Sequence, residues 1–126
     1  MENANSLHKT ILLVDDSHVI LNRINEIVED TVKSCRILLA RNISDALLII
    51  QHEEVDIAII DINLGKENGM NLLRLMHKAY PGIAVIMCTN QVSLPVQTAC
   101  RKLGARYFID KSNEFELISP LIASLL

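Results

Sequence analysis

The chain has no tryptophan, and its aromatic side chains are two Tyr and two Phe. Its core must therefore be aliphatic. Half of the 126 residues are hydrophobic, which is enough for one domain of ordinary size. Cysteine is scarce and odd in number: Cys35, Cys88 and Cys100, with no C-x-x-C spacing. That pattern argues against a disulfide framework or a metal site and for reduced core thiols in a cytoplasmic protein. No apolar run approaches the length of a membrane span. Residues 1–9 are polar, so no signal peptide is expected. The net charge is −3 and no basic stripe stands out. Direct nucleic-acid binding, which needs phosphate-neutralising Lys and Arg, is not expected of this chain. There is no internal repeat, low-complexity segment or linker.

What is present is an alternation. Residues 1–9 read as a flexible lead, and residues 10–126 as one domain of five strands and five helices joined by short connections. This is the pattern of βαβ units and a parallel sheet. Four strands carry nearly continuous apolar runs, as expected when helices cover both faces: Thr10–Val14, Val55–Ile60, Ile83–Cys88 and Tyr107–Ile109. The helices show apolar faces at helical spacing. Ile20, Ile24, Ile27 and Val28 mark the first, with Ser17 as its cap. Leu47 and Ile50 mark the second, over about 44–52. Leu72, Leu73 and Met76 mark the third, after Gly69. Val92, Val96, Ala99, Cys100 and Leu103 mark the fourth, with Pro95 tolerated in its first turn and Gly104 closing it. Ile118, Leu121, Ile122 and Leu125 mark the fifth. Pro120 falls inside that last pattern and predicts a kink or two shorter helical pieces. A docking role for the apolar tail 121–126 is the less favoured reading.

The four strands end in reactive polar residues: Asp15-Asp16, Asp61, Thr89 and Lys111. In an open parallel sheet, ligands bind outside the carboxyl ends of the strands. Three carboxylates together repel one another, and a hard divalent cation relieves this; Mg²⁺ suits one to three carboxylates plus water. Lys111 supplies a point charge for phosphate oxygens, and the Thr89 hydroxyl can donate to the same group. A carboxylate can act as nucleophile and form an acyl phosphate. The set reads as Mg²⁺-assisted phosphoryl transfer to an aspartate.

These motifs resemble the receiver domain of the bacterial response-regulator family, of the chemotaxis-regulator kind. The resemblance rests on Leu12-Leu13-Val14-Asp15-Asp16-Ser17, on Asp61-Ile62-Asn63-Leu64 with Gly69 eight residues after Asp61, on Thr89, and on Asp110-Lys111-Ser112. It covers the chain from Lys9 onward. It implies a flavodoxin-like, doubly wound fold with strand order 2-1-3-4-5. It implies that Asp61 is the phosphoacceptor, that Asp16 binds Mg²⁺ directly and Asp15 through water, and that the Asn63 backbone carbonyl joins them. Thr89 and Phe108 match the switch residues, and Lys111 the phosphoryl-contacting lysine. Tyr107, next to Phe108, is expected on the opposite strand face. The resemblance also implies a sensor histidine kinase or phosphotransfer protein as donor. The output would be a downstream protein target, read on the face of the fourth helix, fifth strand and fifth helix, where a homodimer could also form. No enzyme activity is expected beyond self-phosphorylation from small donors and self-dephosphorylation.

Several positions depart from the family pattern. Gly65 stands where Pro is common and predicts a more mobile loop. Ser112 stands where a Pro with a cis bond is common, which leaves a trans bond or an unusual loop here. Asn90 replaces a small residue and narrows access to Asp61. Asn63 and Gln91 occupy positions that tune phosphoryl lifetime in the family. His18, His52 and His77 are read as surface residues, and Asp56 and Asp110 as solvated or locally paired. Four alternatives remain beside this reading. One is a receiver excised from a longer, DNA-binding regulator. Another is a receiver fold that no longer takes phosphate and only mediates contacts. The third is an enzyme with an aspartyl-phosphate intermediate, a haloacid-dehalogenase-type phosphatase, and the fourth a flavin-binding flavodoxin-like protein. The adjacent Asp15-Asp16, rather than D-x-D, disfavours the phosphatase, and the acidic first loop disfavours flavin.

Overall fold

In a computed structural model, which describes residues 9–32 and 35–126, five parallel strands form the centre of the molecule. They are β1 (Thr10–Val14), β2 (Arg36–Ala40), β3 (Ile57–Ile60), β6 (Ala84–Thr89) and β7 (Tyr107–Asp110). The sheet order is β2-β1-β3-β6-β7, which is the expected 2-1-3-4-5 when the five main strands alone are counted. The expected lead lies, apart from Lys9, outside the described residues. Each strand after the first is reached through a helix: α1 (His18–Thr31), α2 (Ile43–His52), α3 (Gly69–Ala79) and α4 (Leu94–Lys102), with α5 (Ile118–Leu125) closing the chain.

Alternate strand residues face opposite helical layers. Leu12 and Val14 of β1 join Ala46, Ile50, Leu72, Leu73, Met76 and Cys100 under α2, α3 and α4. Ile11 and Leu13 join Leu21, Ile24, Val28, Ile118 and Ile122 under α1 and α5. Side-chain caps fix four helix starts. Ser17 accepts from Ile20 N–H, Asn42 from Asp45, Asn68 from Met70 and Ser93 from Val96. Gly104, with φ 102, follows the end of α4.

The structure corrects four expectations. Strict alternation is broken by a small antiparallel hairpin, β4 (Asn63–Leu64) with β5 (Glu67–Asn68). Gly65 (φ 67) is the first of its two turn residues, where a two-residue hairpin favours glycine. The fourth helix begins at Leu94, because Ser93 caps it and Pro95 occupies its first turn, so Val92 lies outside it and is exposed. The stripe of α1 runs through Leu21, Ile24 and Val28, with Ile20 and Ile27 only half-buried at its edges. Two helical pieces are present, as one form of the expectation had it, but they meet at Leu117–Ile118 and not at Pro120. A 3₁₀ turn over Phe115–Leu117 precedes α5, and Pro120 is its third residue, among the first N–H positions that lack an intrahelical acceptor anyway.

Candidate functional site

The sheet places the acidic and basic side chains through its last ladder bonds. Asp15 N–H donates to Ala40 O at 3.1 Å, Asp61 N–H to Val14 O at 3.0 Å, and Lys111 N–H to Thr89 O at 2.9 Å. Neighbouring strands thus fix the backbone of three of the four expected positions, and Thr89 is itself the last residue of β6. The buried polar residues among those described are Thr10, Asp15, Asp61 and Thr89. Three of the four belong to this cluster, and burial of polar groups on that scale needs partners.

Lys111 provides them. Its Nζ lies 2.7 Å from Asp15 Oδ2 and 2.7 Å from Asp61 Oδ2. The second oxygen of each carboxylate accepts a backbone N–H, Asp15 Oδ1 from Ser17 at 2.9 Å and Asp61 Oδ1 from Asn63 at 3.2 Å. Asp16 is exposed, yet carboxylate oxygens of Asp15, Asp16 and Asp61 all lie within 4.8 Å of one another. One ammonium therefore faces three carboxylates. Burial pushes the Asp15 carboxyl above its ordinary value, offset only in part by Lys111 and the Ser17 N–H. Burial alone would pull Lys111 down, but its hydrogen bonds to Asp15 and Asp61 outweigh this and hold it above the ordinary lysine value. The donor set is all hard oxygen, and a divalent cation would balance the excess negative charge, so the residues present suit Mg²⁺.

The rim is tied together by neutral side chains. Gln91 N–H reaches Thr89 Oγ1 at 3.3 Å, and Gln91 Nε2 donates to Asn63 Oδ1 at 2.6 Å. Ser112 Oγ donates to Asn90 Oδ1 at 2.7 Å. The described peptide bonds are all trans, Lys111–Ser112 included. Phe108 is half-buried against the α2–α3–α4 layer, and Tyr107 packs on the opposite layer, as strand alternation required. His18, His52 and His77 are exposed. Asp56 accepts Thr10 N–H at 2.9 Å and Asp110 accepts Ser112 N–H at 2.9 Å, so both are locally paired.

One contributor was missed in the sequence, and the physical reason for a second was not visible there. Arg41 directs Nε and Nη2 at the Asp16 carbonyl, at 3.2 and 2.9 Å. It follows β2, the strand whose residues had not been located. Gly69 owes its identity to crowding: a Cβ there would stand 2.0 Å from the Asp61 carbonyl oxygen. The signal for Gly69 was visible as spacing, but its cause was not.

The family model described as response regulator receiver domain matches residues 11–122. The structure of a CheY-like response regulator receiver domain protein from Methanospirillum hungatei superposes with a TM-score of 0.82 at 30% identity, covering 93% of each chain. The chemotaxis response regulator CheY4 of Vibrio cholerae superposes with a TM-score of 0.81 at 21% identity, over 94% of this chain and 99% of that one, and shows the fold. Among sequence relatives, the alginate biosynthesis transcriptional regulatory protein AlgB of Pseudomonas putida is 28% identical over 88% of this chain and 24% of its own length. The transcriptional regulatory protein GlrR of Escherichia coli is 29% identical over 80% of this chain and 22% of its own. The chain thus spans about a quarter of the length of these curated relatives.

Proposed function

Because this chain belongs to the response regulator receiver domain family of two-component signalling, we propose that it is a phosphorylation-controlled switch with Asp61 as its acceptor. The observation that carries the reading is the Lys111 ammonium bridging Asp15 and Asp61 at 2.7 Å each, with Asp16 beside them. Such a group set answers a need for anionic phosphate in a site already rich in carboxylates.

In this reading a carboxylate oxygen of Asp61 attacks the phosphorus of a phosphohistidine on a sensor kinase or phosphotransfer protein. The N–P bond breaks, its electron pair returns to the imidazole, and an acyl phosphate forms on Asp61. Mg²⁺, held by Asp15, Asp16, Asp61 and the Asn63 carbonyl, would neutralise charge on the transferring group. Lys111 exchanges its bond to Asp61 Oδ2 for a phosphoryl oxygen. The Thr89 hydroxyl, buried at the end of β6, donates to the same group, and its movement frees space for Phe108 to turn inward. The face of α4, β7 and α5 then changes and is read by a protein target or a second copy; this is a population shift biased by local charge. Asn63, Gln91 and Asn90 stand at the rim, where their amides govern the access of water to the acyl phosphate. The relatives are transcriptional regulatory proteins by name, so a DNA-binding output in a longer regulator is the second reading.

The test is the intact mass after incubation with acetyl phosphate, with and without Mg²⁺, beside an Asp61→Asn control. The expected result is a Mg²⁺-dependent gain of one phosphoryl group that the control lacks. No gain, even with beryllofluoride present to report binding, overturns the acceptor role and favours a module that acts by contact alone.

A further inference from the structure

The net charge of −3 conceals a segregation. No Asp or Glu occurs between Glu67 and Asp110, a stretch that holds α3, β6 and α4. Five of the chain's twelve Lys and Arg lie in it: Arg74, Lys78, Arg101, Lys102 and Arg106. The fold brings them to one place. α2, α3 and α4 share one layer over the sheet. His77 and Lys78 are in the last turn of α3, and Arg101 and Lys102 in the last turn of α4. Arg106 N–H bonds Val85 O just before β7. The imidazole of His77 lies so close to Gly104 that a Cβ there would meet Nδ1 at 2.3 Å, which ties the end of α3 to the turn after α4. All five cations are exposed, and among the described residues none is in an ion pair. Leu75, 48% exposed, stands on the same outer face of α3 between Arg74 and Lys78.

Basic last turns complement helix dipoles, which accounts for single residues here. It does not account for two adjacent helices, α3 and α4, that carry no carboxylate at all beside an exposed leucine; the nearest acids at this end, Glu53, Glu54 and Asp56, line a separate groove with Tyr80 on the α2 side, and Glu53 is already paired with Arg36. We propose that this end of the α3–α4 layer is a docking surface for an acidic protein segment, a helix whose carboxylates flank one or two apolar side chains. Three arginines supply the planar fork that carboxylates take bidentately, and Leu75 supplies an apolar anchor inside a charged rim. Duplex nucleic acid fits less well. No exposed aromatic accompanies the cations, and the carboxylates gathered elsewhere on the molecule repel a polyanion. The surface lies at the amino end of the strands, opposite Asp61. A bound segment therefore leaves the acid end open, and the inference stands whether or not Asp61 is phosphorylated.

The test is an amide-shift titration of the ¹⁵N-labelled full chain in about 150 mM salt, near physiological screening. The probes are a synthetic helical peptide with Glu flanking two Leu at i, i+4, and separately a short DNA duplex. Saturable shifts confined to 74–78 and 101–106 are expected with the peptide. Arg106→Glu should weaken binding about fivefold or more, as loss of a contacting charge does. Lys66→Glu, an equal charge change in the exposed hairpin turn, should leave it within about twofold, since screening isolates distant charges. Leu75→Ala should weaken it as well. The proposal is overturned by absent or scattered peptide shifts, by equal losses in the two Glu variants, or by tighter binding of DNA. Concentration-dependent shifts at the same residues without peptide would overturn it in favour of self-association.

Discussion

At the residue scale, environment decides chemistry that identity alone leaves open. Cys88 directly precedes Thr89, and burial pushes its thiol up to about 12 from an ordinary value of 9.0. Its folded-state value is therefore raised, so it contributes stability that is fully present below pH 9 and lost as pH climbs towards 12. Urea midpoints measured across that range should fall more steeply for the natural chain than for Cys88→Ala. A thiol reagent at pH 8 should leave Cys88 unmodified until the chain unfolds, because the thiolate is the reactive form. Asp15, Asp61 and Lys111 teach the same lesson. They are ordinary surface residue types made into a buried ion cluster by the strands that end beneath them. Their convergence was legible because each closes an apolar run. The Lys111 bridge, and the N–H partners of both carboxylates, were not, since they depend on distances between chain segments far apart in sequence.

At the element scale, the hairpin and the last helix carry the predictions. The Gly69 Cα faces the Asp61 carbonyl, and an added methyl would stand 2.0 Å from its oxygen. Gly69→Ala should cost about 3 kcal/mol in urea unfolding, the upper range for overpacking a tight site. It should also slow Mg²⁺-dependent phosphoryl uptake by displacing the Asp61 backbone. Pro120 makes the opposite case. Sitting third in α5, it should be replaceable by Ala at no more than about 1 kcal/mol, the entropic value of a compatible proline. Calorimetric unfolding of Pro120→Ala checks this, and a gain of about 3 kcal/mol would mean an interior helix break after all. Helix faces were readable from spacing to within a residue or two. The exact stripe of α1 was not, because which of several isoleucines turns inward depends on where α5 lies. The hairpin escaped notice because two-residue strands have no periodicity.

At the scale of the whole molecule, two charge distributions are set apart by the length of the sheet. The carboxyl end of the strands gathers three carboxylates against one lysine, and the other end of the α3–α4 layer gathers cations. Under the proposed metal binding, Mg²⁺ binds the folded chain and not the unfolded one, so it should raise Tm. The stabilisation reaches about 2.7 kcal/mol at a hundred times Kd. Asp16 is exposed and forms no ion pair with Lys111, so Asp16→Asn should leave the metal-free Tm nearly unchanged while removing most of the Mg²⁺-dependent rise. Thermal unfolding with and without Mg²⁺ reads both quantities, and a full rise in the variant would exclude Asp16 from the metal site.

The sequence by itself determined the class of fold, the sheet order by resemblance, and the residues at the four strand ends. Apolar periodicity and strand-end position are local properties, written within a few residues of each side chain. Tertiary structure alone decided the Lys111 bridge, the Arg41 hold on Asp16, the reason for Gly69 and the merging of α3 and α4 cations into one surface. The acid-free stretch between Glu67 and Asp110 was plain to read. Its meaning was not, because net charge sums over the chain, whereas a partner meets only the charges that folding has placed side by side.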